Sequence, residues 1–154
     1  AQPSFAPGLA AGLSAYVDKA PPGKSPDRLG ETTHEQLYAA HAVYREAPWE
    51  ILAEFVTLRR FRETARTYQW SRGGYLQLGH SFGAFTPYAR VEFIDVEKDA
   101  YLAQTATPLW ARSQRLGMRF DPAPSLALKL EGAADDLRGT RDNRAIILQA
   151  AFTF

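Results

Sequence analysis

The stretch IILQAAFTF, residues 146–154, decides the fold. Ile146, Leu148, Ala150, Phe152 and Phe154 share one parity, and Ile147, Gln149, Ala151 and Thr153 share the other. Side chains that alternate with period two point to opposite faces of an extended strand, so this segment reads as a β-strand with one apolar face. The same alternation recurs toward the N-terminus. Leu126, Leu128 and Leu130 alternate with Ala127, Lys129 and Glu131, and Leu116, Met118 and Phe120 with Arg115, Gly117 and Arg119. Phe85, Pro87, Ala89, Val91 and Phe93 oppose Thr86, Tyr88, Arg90 and Glu92. Trp70, Gly74, Leu76, Leu78, His80 and Phe82 oppose Tyr75, Gln77, Gly79 and Ser81.

Residues 35–62 hold strong helix formers, and an amphipathic helix would gather Leu37, Ala40, Tyr44 and Ile51. Pro48 interrupts it. Two strands fit better, with Trp49, Ile51, Ala53 and Phe55 on one face and a turn over residues 46–49 leading back to Tyr38, Ala40, Ala42 and Tyr44. Leu9, Ala11, Leu13, Ala15 and Val17 supply a first strand, so the expectation is about eight antiparallel strands ending at Phe154. Connections are expected to alternate: long and polar over 19–33, 63–69, 95–107 and 133–143, short at 46–49, 83–84 and 121–124. Transmembrane barrels alternate their turns this way.

Composition fits one domain spanning residues 1–154. With 18 basic and 17 acidic residues, the charge of +1 gives no reason to expect a nucleic-acid partner. The absence of cysteine removes thiolate chemistry and disulfides. No apolar run reaches about 18 residues, which excludes a transmembrane helix, but a membrane strand needs only about 9 to 11.

A soluble barrel would turn its apolar parity inward, whereas a membrane barrel turns it toward lipid. Aromatic placement favours the second. Phe82, Phe85, Phe120, Phe152 and Phe154 fall at the short-turn ends, and Trp70, Phe93 and Trp110 near the long-loop ends, as two interfacial girdles would. The other parity carries Arg45, Glu50, Glu54, Arg90, Glu92, Arg115, Arg119, Lys129 and Glu131, interspersed with Gly12, Ser14, Gly79 and Gly117. These charges are the expected lumen lining, with small residues making room for large ones. Arg45 should stand opposite Glu50, and His41 opposite Glu54.

The segments GGYLQLGHSFGAFTPYARVE (73–92), RLGMRFDPAPSLALKLE (115–131) and the closing ILQAAFTF resemble Gram-negative outer-membrane porins, with APWEILAEFVTLRR (47–60) a looser match. The resemblance implies an all-β antiparallel transmembrane barrel in the bacterial outer membrane, open to passive diffusion of small hydrophilic solutes. It also implies surrounding lipid and the barrel assembly machinery as partners, the latter reading Leu148, Phe152 and Phe154 as its signal. Porins have about sixteen strands, so about eight would be either a complete small barrel or the C-terminal part of a larger one. An oligomer is compatible with either. The alternatives are a closed barrel with a structural or adhesive role through its loops, and a soluble lipocalin-like carrier.

No reaction, cofactor or metal is expected. His80 and Ser81 are adjacent on a strand and face opposite ways, so they cannot act as base and nucleophile. His34 belongs in or beside a loop, and His41 has no nucleophile next to it. Asp135 and Asp136 fall in a loop without calcium-site spacing. Gly73-Gly74 reads as a strand bend that gives room to a large lumen side chain.

Overall fold

A computed structural model describes residues 7–22, 30, 32–64, 66–97, 110–137 and 143–153. These form one antiparallel sheet of 8 strands, each hydrogen-bonded to its neighbours in the chain. The strands are β1 (Leu9–Ala20), β2 (Thr33–Glu46), β3 (Trp49–Arg62), β4 (Thr67–His80), β5 (Phe85–Val96), β6 (Trp110–Ala123), β7 (Leu126–Leu137) and β8 (Asn143–Phe152). No helix occurs among the described residues.

The strand reading of 35–62 holds, because alternation there separates Ala40, Ala42 and Tyr44 from His41 and Arg45 and lets both faces find company. Pro48 sits in the turn between β2 and β3, where its missing N–H breaks no ladder bond, and its carbonyl accepts from Ser81 N at 2.7 Å. Register matches expectation at both charged rungs, Arg45 against Glu50 and His41 against Glu54.

Other expectations need correction. Ladder pairing continues past the polar residues that suggested loops, so only residues 63–66 separate β3 from β4, and β7 runs on to Leu137. Asp135 and Asp136 therefore lie in β7, where Asp135 accepts from Ser113 Oγ at 2.6 Å. His34 is likewise inside β2. A register shift between Phe120 and Ala123 moves the β6–β7 turn to residues 124–125. The last strand ends at Phe152, with Thr153 N still bonded to Ser125 O at 3.0 Å, and Phe154 lies outside the described residues. At Gly74 a Cβ would come 2.6 Å from Glu54 O and 3.2 Å from Phe93 Cε1. That glycine thus admits a close backbone and Phe93 on the apolar face, not a large residue on the charged one.

Burial is inverted relative to a water-soluble domain. Every buried residue of the described chain lies on the charged parity, including Thr33, Glu50, Arg60, Thr86, Tyr88 and Glu131. The apolar parity is bare: Leu13 is 88% exposed and Leu116 71%, with Leu76, Leu130, Ile146 and Leu148 also open. Of the exposed large hydrophobics among the described residues, only Tyr16 and Ile94 sit on the charged face. The sheet therefore curls with its charges inward. β1 and β8 are its two edges, and no pairing joins them among the described residues.

Candidate functional site on the charged face

The inner face is built around two carboxylates. Glu131, on β7, is 2% exposed. Tyr88 Oη donates to its Oε2 at 2.6 Å, Lys129 Nζ lies 3.0 Å from the same oxygen, and Arg115 Nη1 donates to Oε1 at 2.9 Å. Arg115 extends the chain of charges to Glu92 Oε2 at 3.2 Å. Arg90 Nε lies 2.5 Å from Glu92 Oε1, a charge contact whose angle does not make a hydrogen bond, while its guanidinium covers the Tyr75 ring at 4.0 Å.

Glu50, on β3, holds the second group. Its Oε2 is 3.3 Å from Arg45 Nε on β2 and 3.4 Å from Arg119 Nη1 on β6. Arg119 also donates from Nε to Asp121 Oδ2 at 2.9 Å. The Glu50–Arg119 contact passes over β4 and β5, which requires the sheet to be curved toward this face. Nearer the other end, Arg60 Nε donates to Glu35 Oε1 at 2.9 Å. Buried charges are tolerated only when paired, and here acids and bases interleave so that each screens the next.

Small residues make this packing fit. A Cβ on Gly117 would lie 2.2 Å from Tyr88 Cζ, and one on Gly12 would lie 2.4 Å from His41 Cε1. Gly117→Ala is expected to displace the Tyr88 ring and loosen its bond to Glu131, costing about 1–3 kcal/mol of stability. Urea unfolding followed by tryptophan fluorescence measures this, and a loss below about 0.5 kcal/mol would show that the ring moves freely.

Of the nine expected lining residues, Glu50, Arg90, Glu92, Arg115, Arg119, Lys129 and Glu131 join these clusters. Arg45 joins too, although its side chain remains 63% exposed at the turn. Glu54 is exposed and makes no ion pair among the described residues, and no hydrogen bond joins it to His41. Tyr88, Asp121 and Gln77, whose Nε2 donates to Glu50 Oε1 at 3.5 Å, were not singled out from sequence. The pairing of Tyr88 with Gly117 across β5 and β6 was the available signal.

Aromatic side chains gather at both ends of the outer face. At the short-turn end Trp49 meets His80 edge-on at 4.6 Å, His80 meets Phe82 at 4.3 Å, and Phe85 stacks on Phe120 at 4.5 Å. Phe152 is exposed at the same end of β8, with Leu148 farther along the strand. At the opposite end lie Phe61, Tyr68, Trp70 and Trp110, the first two in contact at 4.8 Å. Phe93 lies three residues before the end of β5, and its ring reaches across Gly74 toward Phe55 on β3, at 6.3 Å.

No family model, curated protein or solved structure matches this chain.

The site must therefore be read from its own chemistry. No group of three or more metal-ligating side chains converges among the described residues. Ser81 Oγ is bound to Thr86 Oγ1 at 3.0 Å, while His80 is held between Trp49 and Phe82 on the other face. Beyond β3, His34 Nε2 donates to Glu63 Oε1 at 2.6 Å, with Lys19 Nζ 3.5 Å away. That hydrogen bond and the lysine hold the Glu63 carboxyl below its ordinary value. The inner face offers a polar, charge-balanced wall that can hydrogen-bond water or solute without a strong field of either sign.

Proposed function

We propose that this chain forms all or part of a porin-like β-barrel in the bacterial outer membrane, through which small hydrophilic solutes diffuse. The inversion of burial carries this reading. A sheet that shields Glu131, Arg60 and Glu50 while leaving Leu116, Leu76 and Leu148 bare has the facing suited to hydrocarbon outside and water within. A lipocalin-like carrier needs the reverse. The aromatic rows at the two ends of the outer face support the same assignment. In this reading the barrel assembly machinery takes up the last strand through Leu148 and Phe152, with Phe154 as the terminal aromatic. The interleaved acids and bases predict a pathway with weak preference between cations and anions.

Planar-bilayer recording tests the proposal. Addition of the refolded, detergent-purified chain should produce stable, reproducible current steps, with a reversal potential near zero in a salt gradient. Demonstrated insertion without current steps would remove the diffusion role and favour a closed barrel acting through its loops. A chain that stays in the aqueous phase would remove the membrane assignment itself.

A further inference from the structure

The two ends of the outer face differ in charge. At the short-turn end, among the described residues, the aromatic row is joined by a single outward carboxylate, Glu46, and by no lysine or arginine. At the loop end, Lys19, Arg59, Arg72, Arg112 and Arg144 all share the apolar parity, as do the carboxylates Asp95 and Asp136, and Arg59, Arg72 and Arg112 lie beside Tyr68, Trp70 and Trp110.

Arg59 stands apart within this group. Its guanidinium lies 4.0 Å from the Tyr68 ring and 5.3 Å from that of Trp70. Its Nε is buried and has no hydrogen-bond partner among the described residues. Arg72, by contrast, donates to Asp95 Oδ2 at 3.0 Å and 2.8 Å. Beside Arg59 is a hollow of about 300 Å³ lined by His34, Gln36, Arg59, Phe61 and Tyr68. Glu63, which contacts the lining residue His34, is engaged by both His34 and Lys19, so the charge around this contact stays positive when His34 is protonated. Arg112 repeats the arrangement over Trp110 at 5.0 Å. An arginine spread on aromatic faces keeps its remaining N–H groups in a planar fork suited to phosphate. Its position at the edge of an apolar surface suits a ligand whose tails lie along that surface.

We infer that the hollow at Arg59 binds the phosphate headgroup of an anionic lipid in the layer at the loop end of the sheet. This inference rests on the membrane reading above. Gln36 supplies an amide beside the headgroup, and Phe61 and Tyr68 supply the apolar wall.

Tryptophan quenching by bromine-labelled lipid tests both ideas separately. In a Trp49→Phe, Trp110→Phe background only Trp70 remains to report. With the chain refolded into vesicles, brominated phosphatidic acid should quench Trp70 at roughly fivefold lower mole fraction than brominated phosphatidylcholine. Arg59→Gln should abolish that preference while leaving phosphatidylcholine quenching intact, which also verifies that the variant has inserted. Arg59→Lys should restore part of it. Equal quenching by the two lipids in the parent chain would overturn the headgroup site and leave the barrel standing. No quenching by either lipid would overturn the barrel reading as well. Loss of the preference on adding inorganic phosphate would assign the hollow to the free ion and overturn the lipid proposal.

Discussion

Glu131→Ala is expected to lower the unfolding free energy by about 3 kcal/mol, the lower end of what breaking a buried charge pair costs. Three donors from three strands converge on this carboxylate: Tyr88 from β5, Arg115 from β6 and Lys129 from β7 itself. Arg115 keeps Glu92 at 3.2 Å after the substitution, which limits the damage. Among the described residues Lys129 retains only the Tyr88 ring, 5.2 Å from its ammonium, and Tyr88 loses its acceptor. Glu131→Gln preserves an acceptor for the phenol and should cost less, about 1–2 kcal/mol. Urea titration of the refolded chain measures both. Indistinguishable midpoints for Glu131→Ala and the parent would mean that the inner network follows the fold without holding it.

Leu116→Arg separates the two possible surroundings of the sheet more sharply than any other substitution. Leu116 lies midway along β6 and is 71% exposed. In water an arginine there meets only solvent, and the change should stay within about 0.5 kcal/mol. In a bilayer it meets hydrocarbon, at a cost of about 2–4 kcal/mol near the midplane. The membrane reading therefore predicts a large fall in folding yield and stability in lipid vesicles, with Leu116→Ala close to the parent. An arginine variant that folds into vesicles as well as the parent would contradict the outward orientation of this face toward lipid.

Strand identity and register were legible because alternation survives even where propensity argues otherwise. Residues 35–46 contain good helix formers, yet Tyr38, Ala40, Ala42 and Tyr44 keep parity with the partners they meet in β3. Facing was legible for a related reason: charges recur on one parity in adjacent strands, and register then places Arg45 against Glu50 and Gly117 against Tyr88. Strand ends were harder to read. Polar residues such as Asp135, Asp136 and His34 resemble loop composition, but the ladder depends on backbone pairing and extends through them. Contacts across several strands were not legible at all. Arg119 finds Glu50 only because the sheet curves between β3 and β6, and a pattern of nearest neighbours carries no measure of curvature. The arginines of the outer face escaped for another reason, since each interrupts an apolar parity singly and their grouping emerges only when β3 to β6 are laid out in order.

Because every strand pairs with its immediate chain neighbours, the sheet can grow hairpin by hairpin, each on the scale of about 1–10 μs, without waiting for distant segments. Such growth leaves two ragged borders, β1 and β8, whose outward N–H and C=O groups water can satisfy and hydrocarbon cannot. Each bare group costs several kcal/mol in lipid, so even a few would outweigh the net stability of a typical domain, about 5–15 kcal/mol. In the membrane reading these borders must be sewn together, or to another strand, as the sheet leaves water. Suturing and burial are then one event, and the rate of that event governs how fast the chain matures.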